Sequence, residues 1–127
     1  MATWQQVKTY IYSNYTVNSD DGNLISLLFG TGQGRSQQVF LAHIDADEFS
    51  SVLFSSPFAK WSQVSADRAL RATEQVTAGI RSIGDFMAVT HSQLLSTIDE
   101  AEIDLSMVIV VNQADQLEQL LGQGDQF

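Results

Sequence analysis

The sequence predicts an α+β fold of two layers, an antiparallel sheet with helices packed on one face, and three observations carry that prediction. Short runs of strand-forming residues are separated by tight Gly- and Asp-rich turns, which join neighbouring strands antiparallel. Helical periodicity marks both ends of the chain and recurs once between the strands. The length of 127 residues supports one hydrophobic core and not two, so 1–127 reads as a single domain.

Taken in order, Thr3-Trp4-Gln5-Gln6 has the form of a capping box, and Trp4, Val7 and Ile11 follow at helical spacing, giving a short helix that ends near Asn14. Tyr15 to Val17 has strand composition and meets the turn cluster Ser19 to Asn23, after which Leu24 to Phe29 is apolar, which reads as a hairpin. The Gly30 to Arg35 turn leads into Gln38 to Ile44. There Val39, Leu41 and His43 point one way and Phe40, Ala42 and Ile44 the other, so both faces are partly apolar. Phe49 to Phe54 is a further strand, which Pro57 is expected to break.

Ser65 suits the N-cap of a second helix, with Asp67 in its first turn and Ala66, Ala69, Leu70, Thr73 and Val76 on one face. Gly79 stops it in the favoured reading, leaving Ile80 to Ile83 as a strand paired through Gly84-Asp85 with Phe86 to Gln93. The alternative helix runs on to Ile83, because Val76, Ile80 and Ile83 also fit its period. The longest periodic run spans Thr97 to Leu121, with a capping box from Thr97 to Glu100 and Gly122 as its end. Ile103, Met107, Val110, Ala114, Leu117 and Leu121 form its core stripe. Ala101, Leu105, Val108, Ile109 and Val111 extend the apolar surface well beyond that stripe, so a second side of this helix wants cover, from its own domain or from a second chain.

Composition bounds the function. The net charge is −9, all six basic residues lie at or before Arg81, and eight acids follow Ser82. Such a surface repels phosphate backbones and anionic lipid, which disfavours nucleic acid and membrane partners. Cysteine is absent, so disulfides and thiolate chemistry are excluded, and no signal segment or span of apolar residues is present; a soluble cytoplasmic protein is expected.

Several chemical motifs fail their templates. Gly30-x-Gly32-x-Gly34-Arg35 lacks the lysine of a phosphate-binding loop and the spacing of a dinucleotide fingerprint. His43 with Asp45, Asp47 and Glu48 lacks the later Gly and Glu of a calcium loop, and His91 has no neighbouring zinc ligand. No nucleophile elbow stands among the serines, so no catalytic residue, metal or cofactor is assigned and the chain is expected not to be an enzyme. Large aromatic and apolar residues remain as candidates for a partner or dimer interface: Phe54, Phe58, Trp61, Met107, Val110 and Leu117.

The residue pattern gives the order helix, three or four strands, helix, one or two strands, helix. This order resembles the type III secretion chaperone-like superfamily of small, acidic α+β homodimers, with three strands between the first two helices and two before the last. Within it, Leu105-Ser106-Met107-Val108-Ile109 followed by Ala114 and Leu117 resembles the last helix of the bacterial sensory transduction regulator family. The resemblance implies a homodimer and no catalytic residues. It also implies a protein-interaction module, chaperone-like or regulatory, that binds a polypeptide partner through apolar sheet and helix surfaces. The alternative is a small-ligand-binding or enzymatic domain whose pocket lies between sheet and helices, with His43 or His91 as its polar element.

Overall fold

The computed structural model describes residues 2–122, apart from the side chain of Gln75. The elements run α1 (Trp4–Asn14), β1 (Val17–Asp20), β2 (Leu24–Gly32), β3 (Arg35–Ile44), β4 (Ser51–Lys60), α2 (Ala66–Ala72), β5 (Gly79–Ile83), β6 (Phe86–Leu94) and α3 (Glu100–Leu120). The strands form one antiparallel sheet in the order β1-β2-β3-β4-β6-β5. It is the α+β arrangement the sequence predicts, with four strands before α2 where the resemblance implies three. The added strand is the short β1, and Gly79–Ile83 is a strand, not a continuation of α2.

Cross-strand partners share a face of the sheet. Leu41 pairs with Phe54 and Phe54 with His91, Leu27 with Val39, and Ile80 with Val89; this face is buried beneath the helices. From α3, Ile103, Met107, Val110, Ala114 and Leu117 close the core over it, and α1 adds Val7 and Ile11.

Two local expectations are corrected. The last helix starts two residues later than Thr97: its N-cap is Asp99, which accepts from the Glu102 amide while Glu102 reaches back to the Asp99 amide. Thr97 and Ile98 instead turn the chain, both amides donating to the Leu94 carbonyl. Ile98 before the cap and Ile103 at its fourth helical position are both buried, the pairing that fixes the entry of a helix. At the other end Gly122 takes φ +68°, a left-handed stop that a side chain would strain.

Pro57 does not end its strand. Backbone pairing with β3 stops at Phe40↔Ser55, and the register to β6 shifts between Pro57 and Ala59, so the missing N–H falls at a bulge. Side chains take over: the Gln37 amide donates to the Pro57 carbonyl at 2.6 Å and the Ser56 hydroxyl donates to the Gln38 carbonyl. At the start of the same strand Phe49 lies in a single 3-10 turn, Asp47–Phe49, and is exposed.

Candidate partner-binding surfaces

Among the described residues no helix lies on the second face of the sheet. Its residues are Leu24 and Leu28 of β2, Phe40, Ala42 and Ile44 of β3, Leu53 and Pro57 of β4, Phe86, Ala88 and Leu94 of β6, and Ile83 of β5. Across these strands lies an apolar trough of about 470 Å³. The register places the small residues Ser55, Pro57 and Ala88 along its floor, with Leu24, Phe40 and Leu53 toward one end and Phe86 and Ile83 toward the other. Polar groups enter from Gln38, Arg81 and Asp85.

A second surface lies at the β5 edge of the sheet. Trp61 is 42% exposed and Leu70 of α2 62% exposed, and with Phe58, Ile80 and Met87 they line a hollow of about 190 Å³. The Trp61 indole donates to Ser82 at 2.8 Å, which fixes the ring against β5. Ala69, not Leu70, is the side chain of α2 that enters the core. As the outermost strand, β5 leaves its outward backbone groups without a neighbouring strand.

Of the six residues singled out as interface candidates, Trp61 alone lies on the surface. Phe54, Phe58, Met107, Val110 and Leu117 are enclosed by the chain's own sheet and helices and have no area left for another protein. Size and hydrophobicity mark them as anchors, and the anchoring is internal. The apolar excess of α3 is real on its outer side, where Leu105 is 59% exposed and Val108 is also exposed.

The polar side chains are engaged in holding helices to the sheet. Arg35 donates to Asp115 at 2.9 Å and to Glu118 at 3.0 Å, so the glycine turn before it ends in an ion pair with α3. The turn itself is a tight reversal with Gln33 and Gly34 both at positive φ. Tyr10 and Tyr15 both donate to Asp104, joining α1 to α3. The bond to Asp104, with partial burial, raises the Tyr10 hydroxyl to about 12; burial first, then Asp104, raises Tyr15 further. Asp20 accepts from Tyr12, Lys8 and the Gly22 amide, which hold its carboxyl down at about 2.

His43 stacks on Trp4 with ring centroids 5.4 Å apart and an Asn23 oxygen 3.3 Å from its Nδ1, while Asp45, Asp47 and Glu48 lie exposed on the connection beyond it. His91 contacts Gln93 on its own strand, and Gln93 reaches Ser106. Among the described residues no group of three or more metal-ligating side chains comes together, and no helix is long and apolar enough to cross a membrane.

Comparison with known proteins supports the fold. The chain is similar to a chain in the crystal structure of the ExsC–ExsE complex, with a TM-score of 0.66 and 12% identity over 95% of this chain and 97% of that one. The two chains share the same α+β fold. No protein-family profile matches the sequence, and no curated protein matches it.

Proposed function

We propose that the chain is a non-enzymatic protein-interaction module, chaperone-like or regulatory, which works as a homodimer and binds a polypeptide segment on the open face of its sheet. The observation that carries this reading is the face itself, a contiguous apolar surface with no element of the described residues over it. Surfaces of this kind are kept where a partner covers them. The fold neighbour, crystallised as a complex, accords with the reading. An acidic chain without cysteine suits the cytoplasm.

For the dimer, the β5 edge is the favoured surface. A second copy pairing β5 to β5 about a two-fold axis would satisfy the outward backbone groups and bury Trp61 and Leu70 of both copies. Sedimentation at micromolar concentration tests this: the expected mass is twice 14.0 kDa. A Trp61→Ala, Leu70→Ser variant should sediment as a monomer with its fold intact. A wild-type chain that stays at 14.0 kDa overturns the dimer.

A further inference from the structure

We infer that the segment bound in the trough carries an aspartate or glutamate beside its apolar residues, with the acid at the Lys60 and Arg81 end. This rests on the reading that the open sheet face binds a polypeptide, and it specifies the chemistry of that polypeptide.

The chain has few basic residues. Three of the six are already held by carboxylates of the chain itself: Lys8 by Asp20, Arg35 by Asp115 and Glu118, and Arg71 by Asp67. Among the described residues no ion pair holds Lys60, Arg68 or Arg81. Two of these three stand at one end of the trough. Arg81 lines it, paired across the sheet with Ala88 of the floor. Lys60 pairs with Phe86, and its Nζ lies 5.8 Å from the centre of that ring, so the charge is drawn over the apolar wall.

Asp85 shares this end, tied to neither cation, and leaves it with one net positive charge on a chain of net −9. The opposite end is apolar, formed by Leu24, Phe40 and Leu53. A ligand that fits both ends has large apolar side chains and, next to them, an anion. Water is driven off the trough as apolar side chains fill it, which strengthens the attraction between that anion and the two cations. The pairing selects among apolar segments more than it adds affinity.

The test is a selection of short random peptides displayed on phage, run against the full chain, against Ala88→Trp, which fills the floor, and against Lys60→Glu, Arg81→Glu. Phe40→Asp replaces Ala88→Trp if melting curves show the latter unfolded. On the wild-type chain the enriched peptides should combine large apolar residues with Asp or Glu, and blocking the floor should abolish enrichment. The doubly reversed variant should enrich Lys or Arg in the acid's place. Fluorescence anisotropy then compares the best peptide with its Gln or Asn counterpart, expected to bind about fivefold more weakly to wild type and no more weakly to the reversed variant. Peptides that need the floor but show no acidic preference, or a preference that charge reversal leaves unchanged, overturn this inference and leave the binding surface standing. Enrichment that the blocked floor does not diminish, or none at all, overturns the binding reading and this inference with it.

Discussion

Leu53 and Phe54 are neighbours in β4 and stand on opposite faces of the same sheet. Phe54 is wholly buried under α3, while Leu53 lines the open trough. Both are large and apolar, yet only one of them holds the chain together. On the helix-covered face apolar burial is accompanied by ion pairs and tyrosine–carboxylate bonds that fix α1 and α3 in place. The open face presents apolar side chains, and among the described residues no ion pair crosses it. Hydrophobicity in a strand signals a need for cover, and the source of the cover separates a stability residue from a binding residue.

Substitution at these two neighbours should separate the two faces by the widest margin. Phe54→Ala should cost about 3–5 kcal/mol in urea denaturation, and Leu53→Ala about 1 kcal/mol or less while weakening peptide binding in the trough. Similar losses at both sites would show that the faces are not distinct. Met107→Ala and Leu117→Ala belong with Phe54, at about 2–5 kcal/mol each.

Next in size is the ion pair at the C-terminal half of α3. Glu118 and Asp115 are both buried and Arg35 bonds both, so Arg35→Met takes the cation from two carboxylates and should cost about 3 kcal/mol. Adding Glu118→Leu removes one of the two carboxylates and should recover part of that loss in the same denaturation assay. A further drop in the double variant would contradict the assignment.

Smaller effects follow from pH. Tyr10, at about 12 when folded, holds its proton more tightly than in the unfolded chain, where it ionises near 10. Its contribution is therefore present below pH 10 and lost as pH rises toward 12. Stability measured across that range should fall for wild type and stay flatter for Tyr10→Phe, Tyr15→Phe. Asp20 has the opposite sign. Depressed to about 2, it contributes above its ordinary value near 3.8 and loses that contribution as pH falls toward 2; Asp20→Asn should remove this acid limb, the least of the four effects.

Much of the fold was legible because local chemistry and periodicity agree: Thr3 and Gln6 form the capping box their spacing implies, and Gly84-Asp85 joins the hairpin of β5 and β6. The start of α3 lies two residues beyond the expected Thr97 for a physical reason. Thr97 with Glu100 and Asp99 with Glu102 are overlapping capping patterns of comparable quality, and burial of Ile98 with Ile103 selects the second. Pro57 was misread because its tolerance depends on Gln37 and on a bulge against β6, neither of which is local in sequence.

The binding surface was half legible. Apolar residues on both faces of β3 announced an uncovered sheet face, but alternation alone does not say which parity the helices choose. That choice buried Phe54, Phe58, Met107, Val110 and Leu117 and left Phe40, Leu53 and Phe86 in the open trough.

The two tyrosine bonds to Asp104 also order events in time. Tyr10 and Tyr15 meet a residue 94 and 89 positions further along the chain. During synthesis α1 emerges first and finds only the nearby reversal, where Trp4 reaches the Gly22 carbonyl and Lys8 reaches Asp20. The two bonds to Asp104 wait until α3 has been made. Closure over such distances is slow relative to local pairing, so the sheet forms ahead of its roof and the last helix made locks the first.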